Sequence, residues 1–221
     1  MTPKLFEQVD HYISDLLANE DEILKKAILS LDIEGLPQHS ISANQGKFLQ
    51  VLMKTCNARR VLELGTLGGY STIWMARALA EKGKLLTVEF DSKHSAVAQK
   101  NIQNAGLSEF VECITGNALN VLEDLILQET EPFDFIFIDA DKPPYAEYFE
   151  LALKLSRKGS IIVCDNVIRE GAVLDANSMD EKVRGVQRLN QALSKNDKVI
   201  ATILQTIGTK EHDGMVIAVV K

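Results

Sequence analysis

From residue 60 onward the apolar positions switch repeatedly between two periods. Short, nearly continuous apolar runs give way to longer segments in which apolar residues recur every three or four positions, the marks of strand and helix. The expected series is strand Arg60–Leu64, helix Tyr70–Glu81, strand Lys84–Glu89, helix Ser92–Ala105, strand Phe110–Thr115, helix Ala118–Leu127, strand Phe133–Asp139, helix Tyr145–Ser156 and strand Ser160–Cys164. Repeated βα units imply a parallel sheet covered on both faces. Phe133–Ile138 and Ser160–Cys164 are apolar almost throughout, as strands buried on both faces should be, and are read as central. After the polar stretch Arg169–Asn177 a helix is expected over Asp180–Lys195, then strands Lys198–Leu204 and Gly214–Val220. Their link has no room for a crossover helix, so the last strand should run against the others.

Residues 3–34 carry apolar positions at helical intervals on either side of a break at Asn19–Asp21, and Asn44–Lys54 forms a third amphipathic segment. These helices can cap a ligand site, form a dimer face or simply cover the core. The fold class is therefore α/β, a doubly wound, mostly parallel seven-stranded sheet with an antiparallel last strand and added N-terminal helices. A chain of 221 residues suits one sizeable domain, with 1–56 as a helical cap and 57–221 as the α/β core.

Composition narrows the function classes. The chain is 46% apolar and 25% charged, ordinary for a globular protein, and carries a formal charge of −7 with no block of Lys or Arg. That balance disfavours nonspecific binding to nucleic acid or an anionic membrane. Met1–Asp10 lacks a secretory apolar core, and no stretch approaches the roughly 20 residues needed to span a bilayer, so a cytoplasmic location is expected. Cys56, Cys113 and Cys164 have neither C-x-x-C nor metal-ligand spacing and are read as free thiols. None of His11, His39, His94 and His212 sits in a metal-like pair; His39 lies nearest the N-terminal cap.

Two features carry chemistry. The first is Val61-Leu-Glu-Leu-Gly-Thr-Leu-Gly-Gly-Tyr-Ser-Thr72, a strand, a glycine turn and a helix start. Such a turn offers unpaired N–H groups and lets a ligand approach the backbone. Glycines at 65, 68 and 69 do not match the G-x-G-x-x-G dinucleotide spacing. Glu89 closes the next strand, where a carboxylate can accept from both hydroxyls of a ribose. The pattern resembles the class I S-adenosylmethionine-dependent methyltransferases, whose first motif E-x-G-x-x-x-G is matched by Glu63, Gly65 and Gly69. The resemblance extends over nearly the whole chain from about residue 40 and implies a Rossmann-like fold. It implies cofactor contacts at Glu63, Gly65, Thr66, Leu67, Gly69, Glu89 and Asp139, and at Asn117 and Ala118 beyond the third strand. Ser71 either meets the methionine carboxylate or only caps its helix.

The second feature is a pair of acidic strand ends, Asp139-Ala-Asp-Lys142 and Asp165-Asn166. Asp139, Asp165 and Asn166 should meet at the carboxyl rim, and three hard oxygen donors suit Mg²⁺, Ca²⁺ or Mn²⁺. Taken singly, each can instead cap a following helix or loop. Asp139-Ala-Asp-Lys-x-x-Tyr145-x-x-Tyr148 with Asp165-Asn166 is similar to the cation-dependent O-methyltransferases, the group of catechol and caffeoyl-CoA O-methyltransferases. That resemblance implies Asp139, Asp165 and Asn166 as ligands of a divalent cation, Mg²⁺ first, and Lys142 as the catalytic base. It also implies S-adenosylmethionine as methyl donor, S-adenosylhomocysteine as product, a small phenolic acceptor and a homodimer. Pro143-Pro144 departs from the polar residues often found there and leaves substrate class open.

The chemistry accounts for these residue types. A phenol with a pKa near 10 is a poor nucleophile at neutral pH, and a divalent cation on its oxygen favours the phenolate. A partly desolvated lysine beside it can take the proton. Alternatives in the same fold are a methyltransferase for a hydroxylated tRNA base, disfavoured by the net charge, and a noncatalytic module that keeps the cofactor pocket.

Overall fold

The computed structural model describes residues 3–221. Helices α1 (Pro3–Leu17), α2 (Glu22–Glu34) and α3 (Ala43–Thr55) precede the alternating core. The core runs β1 (Arg60–Leu64), α4 (Tyr70–Ala76), β2 (Lys84–Glu89), α5 (Ser92–Asn104), β3 (Val111–Thr115), α6 (Ala118–Leu127), β4 (Phe133–Ile138), α7 (Tyr145–Lys154) and β5 (Ser156–Cys164). A 3₁₀ turn at Arg169–Leu174, α8 (Glu181–Ser194), β6 (Val199–Thr206) and β7 (Asp213–Val220) complete it. The strand order is β3-β2-β1-β4-β5-β7-β6, with β7 antiparallel to both neighbours and the pairs from β3 to β5 parallel. The last strand runs as the short link requires, inserted between β5 and β6.

The period-two pattern of the strands divides the core into two layers. Leu62, Leu64, Ile136, Ile138, Ile162 and Cys164 pack with α6, α7 and α8. Val61, Phe135, Phe137, Ile161 and Val163 pack on the opposite face with α2, α3 and α4. All six residues of β4 are buried, which places its tip at the centre of the sheet.

Boundaries around α4, α7 and β5 differ from expectation for identifiable reasons. Helix α4 ends at Ala76 and not Glu81, because the chain must return to the amino edge: Ala80 N–H donates to Ala58 O (2.8 Å) and Lys84 N–H to Arg59 O (2.7 Å). Helix α7 accordingly stops at Lys154, and β5 begins at Ser156, four residues early, through a register irregularity between Phe133 and Phe135. Exposed Arg157-Lys158-Gly159 hides that start from an apolar count. The polar stretch after β5 holds the 3₁₀ turn, with left-handed backbone at Arg169, Glu170 and Gly171.

Helix α1 is attached chiefly by polar contacts. Its one buried residue is Asp10, whose carboxylate accepts from Asn44 Nδ2 (2.5 Å), Thr209 N–H (3.0 Å) and Thr209 Oγ1 (2.9 Å). Leu5, Val9, Tyr12, Leu16 and Leu17 stay exposed, as do Ile200, Ile203 and Leu204 on the edge strand β6.

Candidate active site

The chain leaves β1 toward β2 and β3 on one side and toward β4 and β5 on the other, so the tips of β1 and β4 flank a topological switch point. In open α/β sheets the crevice beyond the carboxyl ends at such a point is where ligands bind. The two tips are in backbone contact. Asp139 N–H donates to Leu64 O (2.8 Å), and a Cβ on Gly65, at φ +92°, would lie 2.1 Å from Asp139 O. Gly65 is thus required first by its neighbouring strand. Gly68 faces the side chain of Leu31 on α2, and Gly69, at φ +79°, starts α4 in left-handed conformation. Gly65→Ala combines left-handed strain with a backbone clash and should cost about 3 kcal/mol or more. Urea unfolding checks this, and a loss under about 1 kcal/mol would mean that the tips part easily.

Glu89 organises the turn. Its Oε2 accepts from Thr66 N–H (3.0 Å) and Leu67 N–H (2.8 Å), and its Oε1 from Asp91 N–H (2.9 Å). A carboxylate offers about four acceptor sites, so Glu89 keeps about one, on the Oε1 side. The turn already uses most of the group. His94 Nδ1 stands 3.6 Å from Oε1, and the adjoining Phe90 ring is 76% exposed. Neither was singled out from sequence as a neighbour of this site.

Glu63 is fully buried. Its oxygens accept from Ser71 Oγ (2.5 Å) and Thr72 Oγ1 (2.5 Å). Burial pushes its carboxyl up to about 7, against the pull of the Ser71, Thr72 and Thr87 hydroxyls and with some further push from Asp139. Glu63 therefore braces the start of α4 from beneath, and Ser71 spends its hydroxyl on that brace; neither helix cap nor free ligand donor describes it. Asn117 likewise spends its side-chain oxygen on capping α6, accepting from Leu119 N–H (3.0 Å) and Asn120 N–H (3.3 Å). Ala118 opens that helix and is buried.

Lys142 links the tips of β4 and β5, meeting the Asp139 carboxylate on one and the Asp165 backbone carbonyl on the other. Its Nζ donates to Asp139 Oδ1 (3.0 Å), Tyr145 Oη (2.5 Å) and Asp165 O (3.3 Å), and the residue is 6% exposed. Tyr145 Oη is also 3.0 Å from Ile138 O and 2.9 Å from Asp165 O. The Asp165 carboxyl is raised to about 8, by burial first and by the Asp139 charge second, with Lys142 offsetting part of the effect. Two acids share the site with one ammonium. Asn166 follows in left-handed conformation (φ +58°), which asparagine tolerates, and its N–H donates to Asp165 Oδ1 (2.8 Å). Among the described residues no group of three or more His, Cys, Asp or Glu is placed to hold a metal ion.

Residues distant in sequence hold this arrangement. Asp213 Oδ1 accepts from Ile168 N–H (2.9 Å) and Arg169 N–H (3.0 Å), anchoring the loop that follows Asn166. Gln45, from α3, reaches Asp165 Oδ2 at 3.5 Å. A Cβ on Gly185 would lie 2.0 Å from Lys142 O, so α8 backs directly onto the lysine. The cysteines stand apart from this chemistry: burial raises the thiols of Cys56 and Cys113, and that of Cys164 to about 12. His39 is exposed.

Comparison with known proteins now adds to this geometry. Residues 14–220 match the model of a family described as O-methyltransferase. A protein of Niastella koreensis named catechol O-methyltransferase is 58% identical over 221 residues, covering 100% of both chains. One of the same name from Mycobacterium tuberculosis is 42% identical over 96% of this chain and 95% of that one. Among solved structures, the O-methyltransferase from Bacillus cereus in complex with SAH superposes with a TM-score of 0.97 at 47% identity, covering 100% of both chains.

Proposed function

The chain belongs to the O-methyltransferase family, and from that premise we propose that it transfers the methyl group of S-adenosylmethionine to a hydroxyl of a small catechol-type or other phenolic acceptor, using a divalent cation. The observation that carries this reading is the convergence of Asp139, Asp165 and Lys142 beside the glycine turn of β1.

The residues fit a hard cation. Asp139, Asp165 and Asn166 offer oxygen only, the chemistry that suits Mg²⁺, with Ca²⁺ or Mn²⁺ as alternatives. The Asp165 carboxyl, raised first by its burial and then by the charge of the half-buried Asp139, supports the assignment, because a bound cation would offset both. Bound there, a divalent cation would favour the oxyanion form of an acceptor hydroxyl.

The chain's own residues supply the rest. Lys142 Nζ, at the rim beside Asp139, takes the acceptor's hydroxyl proton. The acceptor oxygen forms its bond to the methyl carbon while the carbon–sulfur bond breaks, and that electron pair stays on sulfur in S-adenosylhomocysteine. Glu89 offers its remaining acceptor position to a ribose hydroxyl, and the exposed Phe90 ring beside it offers a flat apolar face for a base. Alignment of oxygen, methyl and sulfur is the protein's main contribution. The uncovered apolar residues of α1 and β6 support a second copy of the chain as partner.

The experiment is methyl transfer from labelled S-adenosylmethionine to catechol, and in parallel to total RNA. Label should enter catechol, fall by at least about a hundredfold in excess EDTA and return with Mg²⁺. Unchanged turnover in EDTA, or label entering RNA instead, contradicts the proposal.

A further inference from the structure

Building on the reading that S-adenosylmethionine lies against the glycine turn, we infer that Asn101 on α5 is a positioning residue, which holds that turn in the shape that receives the cofactor. The turn does not keep its shape unaided. Leu67 stands in left-handed backbone (φ +48°), costly for a bulky side chain, and Gly69 lies in the same region (φ +79°), with Gly68 between them. Two glycines in a row offer the least resistance to rotation of the peptide that joins them. Such a rotation would take the Gly69 N–H away from Thr66 O, which it meets at 2.8 Å, and would disturb the entry to α4.

Three anchors oppose it. Glu89 takes the Thr66 and Leu67 N–H groups. The Leu67 side chain packs with Leu31, Leu36 and Val97, a small apolar cluster between the N-terminal cap and α5 that holds the strained residue in place. Asn101 supplies the third anchor: its Nδ2 donates to Gly68 O at 2.9 Å, so the peptide between the glycines is held by its carbonyl as well as by its N–H. The direction of that bond is fixed, because a backbone carbonyl only accepts and the atom facing it must be the amide nitrogen. Nδ2 also donates to Ser30 Oγ (2.8 Å), whose own proton goes to Ala27 O (2.7 Å) on α2. No group in this series titrates. Asn101 and Gly68 are both buried, so solvent offers the carbonyl no ready substitute.

Asn101→Ala removes the donor and leaves Glu89 and the tips of β4 and β5 untouched. The calorimetric Kd of S-adenosylhomocysteine should rise about tenfold, and the KM of S-adenosylmethionine with it, because the ligand must then order the turn as it binds. Turnover at saturating cofactor and the KM of catechol should stay within about twofold. General destabilisation would do the reverse, lowering the active fraction and leaving Kd and both KM values alone. A parent chain that binds no S-adenosylhomocysteine would overturn the cofactor reading and this inference with it. A parent chain that binds it, beside an Asn101→Ala variant with a Kd within about twofold, overturns the positioning role alone. If Asn101→Ala does not fold, the intact cofactor-free chain decides by NMR relaxation dispersion. The amides of Gly68 and Gly69 should show no exchange on the microsecond-to-millisecond scale, and dispersion at either overturns the inference.

Discussion

Asp165→Ala is expected to lower methyl transfer to catechol by about a thousandfold or more, equivalent to about 4 kcal/mol of lost transition-state stabilisation, while the chain still binds S-adenosylhomocysteine. The change removes one of the two carboxylates proposed to hold the cation. It should not unfold the cation-free chain, because Asp165 is a liability there. Its folded-state carboxyl is raised to about 8 from an ordinary value of 3.8, by burial first and by Asp139 second. A group whose folded value is raised contributes its stability below the unfolded value and loses it as pH rises through the folded one. The cation-free parent chain should therefore lose thermal stability between about pH 4 and pH 8, with Glu63, raised to about 7 by burial, adding to the slope. In Asp165→Ala the slope should be shallower. Mg²⁺ should stabilise the parent chain more at pH 8 than at pH 5, because at lower pH it competes with the proton on Asp165. Melting curves with and without Mg²⁺ across that range, beside the turnover assay, check both halves. An active alanine variant would remove the metal assignment.

Lys142→Met should reduce kcat by about 10²–10⁴-fold, the usual contribution of a positioned general base, with little change in the KM of the acceptor. The side chain is buried, and methionine has a comparable length, so packing should survive. Electrostatics should not. With the ammonium gone, Asp139 loses its ion pair and the two tip carboxylates have no opposite charge beside them. Removing one partner of a buried pair typically costs about 3–5 kcal/mol, so the cation-free variant should melt lower than the parent chain. Mg²⁺ should recover more of that loss than it adds to the parent. Retained turnover would exclude Lys142 as base; a lower melting point that Mg²⁺ does not recover would argue that the cation sits elsewhere.

How much of this was legible in the sequence follows from the range of the interactions. β4 and the buried end of β5 read directly because two-sided burial makes a strand apolar throughout. The acidic tips followed at once, since the residue after a buried parallel strand emerges at the carboxyl edge. The glycine turn read equally well as a feature, but its reasons did not. Gly65 answers to the Asp139 carbonyl and Gly68 to Leu31, contacts that cross from β1 to β4 and to α2. Glu63 reads as part of the glycine motif, but its hydrogen bonds to Ser71 and Thr72 at the start of α4 are not visible in that motif. Helix α4 looked five residues longer, because Arg77–Glu81 continue its apolar period while tertiary hydrogen bonds redirect the backbone. Gly185 and Asp213 act on backbone atoms of residues far along the chain, and no local pattern marks them; Tyr145 stands in the quoted motif, but its contact with Asp165 O does not show there.

In the proposed mechanism the tips of β4 and β5 bring Asp139, Asp165 and Asn166 to a single divalent cation within reach of the methyl donor. The most direct measurement is anomalous scattering from a crystal of the chain soaked with Mn²⁺ and S-adenosylhomocysteine. One strong peak bounded by the side-chain oxygens of those three residues, next to the sulfur, is the expected result. A peak elsewhere, or none at Mn²⁺ concentrations that support turnover, would contradict the account.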